Sequence, residues 1–195
     1  MQGRGGMWAL IGAAVLVDTE VTERGWVAEP ITTDTELYAR AALAAASTFD
    51  TTLASREEWL TYLDTWFTPD TRYASESDRV DALRAAQLEL RQGVVLPEVQ
   101  WDSIAAEDGR VVAQTIGAMT LMPAPEDPSG DMAIGTANVT LTFTMAGADE
   151  ESSFDETVRV SVQVLCGPES VPTPGSTQTP GDCKVVRFFS EPMEP

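Results

Sequence analysis

With 195 residues, 43% of them hydrophobic and 22% charged, the chain has the size and balance of one globular domain with a well-buried core. A net charge of −19, with 12 basic residues spread without a cluster, repels phosphate backbones and argues against a nucleic-acid partner. The chain contains no His, which excludes Ser-His-Asp and Cys-His catalysis and every His-containing zinc site.

Met7 to Val17 reads MWALIGAAVLV, an apolar run preceded by Arg4. It is too short to cross ~30 Å of hydrocarbon as a helix, which needs roughly twenty residues. Three readings stand: a signal peptide, the end of a membrane anchor, or a short buried element of the domain. No small-x-small cleavage pattern follows it, and the acidic stretch Asp18 to Glu29 reads as an unstructured linker. Gly3-Arg4-Gly5-Gly6 lacks the Lys-Ser/Thr ending of a phosphate-binding loop. The expected organisation is a signal or truncated anchor over 1–17, a linker over 18–31, an α+β domain over 32–191 and a tail over 192–195.

Thr33-Asp34-Thr35-Glu36 has the form of a capping box. It predicts a first helix from Asp34 to Phe49, with Leu37, Ala41, Ala44 and Ala45 on its packing face. Ser55-Arg56-Glu57-Glu58 repeats the box, and Trp59, Leu60, Leu63, Trp66 and Phe67 then recur at helical spacing until Thr68-Pro69. This stripe, with Tyr62 and Phe143, is read as core, the alternative being the lining of a pocket. A third helix starts near Ser77, with Val80, Leu83, Ala86 and Leu90 in phase, and ends at Gly93.

After Pro97 the pattern turns to strands. Glu107-Asp108-Gly109 signals a turn, RVVAQTIGAMTLM is β-like, and the run from Pro123 to Asp131 reads as an exposed loop. Strict alternation follows in Ala137 to Met145, with Val139, Leu141, Phe143 and Met145 inward and Thr outward. Gly147 to Ser153 makes a hairpin turn, and Thr157 to Leu165 repeats the alternation with Val158, Val160, Val162 and Val164 in phase. Cys166 closes that strand, and Cys183 precedes the last one, Lys184 to Phe189. If these strands pair, the two cysteines meet where the loop leaves the sheet, so they are read as a structural disulfide. A redox pair or two reduced thiols are the alternatives. A disulfide belongs to an oxidising compartment and places the domain outside the cytoplasm.

The predicted fold class is α+β: three N-terminal helices packed on a curved four-stranded antiparallel sheet. That order, over residues 32–191, resembles the nuclear-transport-factor-two-like, cystatin-like cone. LYARAALAAASTFDTTLASREEWLTYLDTWFTPDTRY is similar to the start of the soluble domains of VirB-eight-like or TcpC-like conjugative-transfer proteins of Gram-positive elements. The resemblance implies one N-terminal membrane helix and an extracytoplasmic domain that acts without catalysis or cofactor as an assembly component of a type IV secretion channel. Its partners would be other channel subunits or further copies of itself. Two other functions stay open. One is a secreted binding domain. The other is a cavity enzyme of isomerase type, for which Asp50, Asp64, Tyr62 and Tyr73 would be the candidate acid and base groups.

Overall fold

The structure is a computed structural model that describes residues 16–195. The apolar run from Met7 therefore lies outside the described residues except for Leu16 and Val17. Among the described residues no helix is long and apolar enough to cross a membrane.

The architecture is α+β, with several helices on a curled antiparallel sheet. The helices are α1 (Asp18–Glu23), α2 (Thr35–Ala45), α3 (Arg56–Asp64), α4 (Glu76–Glu89) and α5 (Glu98–Ala105). The strands β1 (Phe49–Asp50), β2 (Arg110–Pro123), β3 (Met132–Ala146), β4 (Glu151–Leu165) and β5 (Lys184–Phe189) lie side by side in chain order. The expectation of four strands and three N-terminal helices is corrected here. Strand β1 is only two residues long, below the length at which alternation can be read. Helix α5 follows Pro97, which occupies its N-cap, and buries Trp101 and Ile104 three residues apart. Two turns with two buried apolar residues are too few to give a helical period in the sequence.

Helix α1 occupies part of the stretch expected to be an unstructured linker. Val21 and Trp26 are buried, so this acidic arm is held by two apolar anchors rather than by its polar majority. Helix α2 is capped by Asp34, whose side chain accepts from Leu37 N at 2.9 Å, and not by Thr33. It ends at Ala45, and Phe49 belongs to β1. Its buried face carries Tyr38, Ala39, Ala42, Leu43 and Ala45, one residue round from the predicted stripe, and Leu37 is 49% exposed. The small face permits close approach, since a Cβ on Gly135 of β3 would stand 3.1 Å from Ala39 Cβ. At α3 the Ser55 box forms as predicted, with Ser55 Oγ accepting from Glu58 N and Glu58 returning to Ser55 N. Helix α4 begins at its N-cap Ser75 rather than near Ser77. It buries only Ala86 and runs into a π-helical turn, Leu90–Val94, that carries Leu90 inward. Gly93 lies within that turn, where Ser190 packs against it and leaves a Cβ only 2.8 Å of room.

The inner face of the sheet presents Val139, Leu141 and Phe143 from β3 and Val162 and Val164 from β4 to the helices. Their partners across the ladder are as expected for a hairpin, Val139 opposite Val158 and Phe143 opposite Phe154. The outer face also has a core, built by Met132, Ile134, Leu165, Val186 and Phe189. The C-terminal residues lie along it. Met193 N donates to Ser161 Oγ at 2.8 Å and Thr136 Oγ1 donates to Met193 O at 2.8 Å. Hydroxyls that alternation assigns to solvent are buried there because the tail supplies their partners.

Candidate functional site

Apolar residues recurring at helical spacing put the rings of α3 and the turn after it on the inner face of the sheet. Trp59 and Trp66 have no exposed surface, and Tyr62, Leu63, Phe67 and Phe143 are buried with them. Phe49 sits 5.0 Å from the Trp59 ring and 4.1 Å from the Trp101 ring, and Trp59 and Trp101 stack at 5.5 Å. Phe143 is placed apart from that cluster in its aromatic contacts, stacked on Phe154 at 4.8 Å. Side chains therefore fill the space between these helices and the sheet. Two surface grooves lie along α4. One, of about 430 Å³, is lined by Leu88, Glu89, Gln92 and Ser190 among others. The other, of about 280 Å³, is lined by Asp70, Arg72, Tyr73, Leu83 and Arg187 among others. None of the six aromatic and aliphatic candidates lines either groove.

The candidate acid and base groups are dispersed. Asp50 accepts from Thr52 N at 2.9 Å and from Thr52 Oγ1 at 2.6 Å, closing a local turn. Asp64 is held by Arg91 through Nη1 at 2.8 Å and Nη2 at 2.5 Å. Tyr62 donates its hydroxyl to Val27 O at 2.6 Å and accepts from Glu29 N at 3.2 Å. Burial pushes the Tyr62 hydroxyl well above the ordinary phenol range, so it stays protonated. Tyr73 is exposed. Among the described residues no hydrogen bond joins any two of these four.

Sequence reasoning missed a buried polar node around Lys184, whose side chain is 1% exposed. Lys184 Nζ donates to Glu29 Oε1 at 2.9 Å, to Thr65 O at 2.6 Å and to Thr173 Oγ1 at 2.8 Å, which uses all three of its hydrogens. Glu29 also accepts from the Tyr38 hydroxyl at 2.5 Å. Desolvation lowers the Lys184 pKa against the pull of Glu29 and raises the Glu29 pKa against the pull of Lys184. The same burial, reinforced by the Glu29 charge, raises Tyr38 far above the phenol range. With its donors engaged and its side chain buried, the lysine makes the node act as a clasp. It joins the N-terminal arm, the end of α3, the long loop before Cys183 and β5. The one signal in the sequence was that Lys184 is the sole lysine in a chain whose other basic residues are all Arg.

The disulfide lies beside this clasp. Cys166 and Cys183 are bonded, with Cα atoms 4.1 Å apart, at the two ends of the loop between β4 and β5. Cys183 N donates to Thr32 O at 2.8 Å and Cys166 N donates to Asp131 O at 3.0 Å, so each half-cystine is also fixed by its backbone.

No family model and no curated protein matches the chain. Solved structures do. CagV, a VirB8 homolog of the T4SS from Helicobacter pylori, aligns with a TM-score of 0.43 at 13% identity, over 77% of this chain and 89% of that one. An IcmL-like type IV secretion system protein from Legionella pneumophila aligns with a TM-score of 0.43 at 14% identity, over 83% of this chain and 95% of that one. A periplasmic fragment of TraM aligns with a TM-score of 0.38 at 14% identity, over 77% of this chain and 89% of that one.

Proposed function

We propose that this chain is a non-catalytic, extracytoplasmic interaction component of a conjugative type IV secretion channel. The observation that carries the non-catalytic part is the filled concavity. Trp59, Trp66, Tyr38 and Phe49 occupy, at no more than 1% exposure, the volume in which an enzyme of cone shape would hold its substrate. The Cys166–Cys183 bond supports an oxidising compartment, because such bonds do not persist among cytosolic thiols. The assignment to a secretion channel rests on the similarity of residues 37–73 to the opening of conjugative-transfer domains. Attachment to a membrane would use the apolar run from Met7, and partners would be channel subunits.

Deleting the gene from a conjugative donor and measuring transfer tests this reading. Transfer should be lost and restored by the wild-type chain. It should be restored equally by Asp50→Asn and Asp64→Asn, since neither carboxylate does chemistry. Loss of a general base in an enzyme would cost about two or more orders of magnitude. Wild-type transfer without the gene would overturn the channel reading in favour of a secreted binding domain.

A further inference from the structure

Strand β4 pairs with β3 along its whole length, from Glu151 opposite Ala146 to Leu165 opposite Met132. With β5 it pairs only over Ser161–Leu165. Ten residues, Glu151–Val160, therefore present a free edge of about 33 Å at the usual rise per residue. Among the described residues no backbone or side-chain group bonds to the peptide groups of that edge outside the β3 ladder.

The edge on the other side of the sheet is treated differently. There Ala113 N of β2 donates to Thr48 Oγ1 at 3.0 Å, and Arg40 Nη2 donates to Gly117 O at 2.9 Å. An irregularity between Ile116 and Thr120 breaks the β2 ladder as well. Bulges and side-chain plugs of this kind are how proteins close an edge against unwanted pairing. The fold thus guards one edge and leaves the other open.

We infer that the β4 edge, Glu151–Val160, is a docking site for an extended segment of a partner protein in which basic and apolar residues alternate. The alternation of β4 sets the requirement. On the inner face Phe154 is 55% exposed, and Glu156, Val158 and Val160 follow it in phase, so three of these four side chains are apolar. Glu151 and Asp155 stand on the other face with Arg159, whose charge Glu194 neutralises, and Asp149 and Glu150 add to the negative field at this end of the hairpin. An added strand would lay apolar side chains beside Phe154 and Val158 and basic ones beside Glu151 and Asp155, while its main chain completes the ladder. A second copy of this chain fits poorly. Pairing two edges about their centre brings Asp155 and Glu156 of one against the same residues of the other, between molecules of charge −19. The inference deepens the reading of the chain as an interaction component and rests on it.

The test uses the full purified chain and two synthetic eight-residue probes, one with Lys and Val alternating and one with the same residues as two blocks. The alternating probe should bind, and should protect the amides of Glu151–Val160 from hydrogen exchange. Asp155→Lys should weaken that binding by roughly tenfold or more, whereas Asp78→Lys with Asp81→Lys on exposed α4 should leave it within about twofold. Equal binding of the block probe, equal loss in the α4 variant or no binding would overturn the inference. So would a dimer in sedimentation that Asp155→Lys dissociates, which would give the edge to a second copy. These measurements read the edge alone, and the gene deletion reads the channel, so either can fail without the other.

Discussion

Lys184 is where one residue decides most. Taking its ammonium and the Glu29 carboxylate out of water costs more than a surface pair returns, and only the excellent geometry of the node makes the pair tolerable. Removing one partner leaves the other charged and buried. Lys184→Met should therefore cost about 3–5 kcal/mol in denaturant unfolding, and adding Glu29→Gln to it should recover part of that loss instead of adding to it. A double variant whose loss equals the sum of the two singles would show that the pair is not coupled. The pH dependence has a defined sign. Because burial raises the Glu29 pKa above its unfolded value, the folded chain keeps a proton that the unfolded chain has already released, and stability falls as pH rises through the folded value. Lys184 is the largest influence opposing that rise, so in Lys184→Met the folded value climbs and the loss extends toward neutral pH. An unfolding series from mildly acidic to neutral pH, flatter in the variant than in the wild type, would contradict this.

At the scale of elements, the loop between Cys166 and Cys183 can be weighed directly. A bridge over a separation of 17 residues removes about 3 kcal/mol of loop-closure entropy in the chain-entropy model. The double variant Cys166→Ser, Cys183→Ser should lose about that much, and the unreduced wild type should show no free thiol when titrated in denaturant. A variant as stable as the wild type would mean that the Lys184 clasp and the two half-cystine backbone bonds already close the loop. Why some elements were legible and others not also belongs to this scale. The Ser55 box, the alternation of β3 and β4 and the bounds of β5 were readable because local chemistry and tertiary packing ask for the same thing there. The packing face of α2 was misplaced by one residue because an Ala-rich stripe has little contrast. The face is fixed instead by Tyr38, whose hydroxyl must reach Glu29. The buried Thr136 and Ser161 were unreadable because their partner is the backbone of Met193, far along the chain. The clasp was illegible for the same reason, since Glu29 and Lys184 stand 155 residues apart and burial, not spacing, defines their role.

For the molecule as a whole, the two cores and the clasp divide the work unevenly between the ends of the chain. The C-terminal tail covers the outer face through Met193 and pairs Glu194 with Arg159. The N-terminal arm does more. Trp26 stacks on Tyr62 at 5.1 Å and lies beneath Arg24, Val21 is buried, and Glu29 neutralises the one buried lysine. A boundary drawn by periodicity places the domain at 32–191, yet the arm before it supplies contacts that the rest of the chain has no means to replace. Losing a buried Trp costs about 3–5 kcal/mol, and stranding Lys184 costs a similar amount. Together these match the 5–15 kcal/mol total stability of an ordinary domain. A chain starting at Thr32 should therefore melt far below the full chain in circular dichroism, or fail to show a cooperative transition. Adding Lys184→Met to the Thr32 start should restore part of the loss, because the stranded charge is then gone. Melting of the Thr32 start within a few degrees of the full chain would show that the arm is an accessory and that the folded unit begins where the periodicity does.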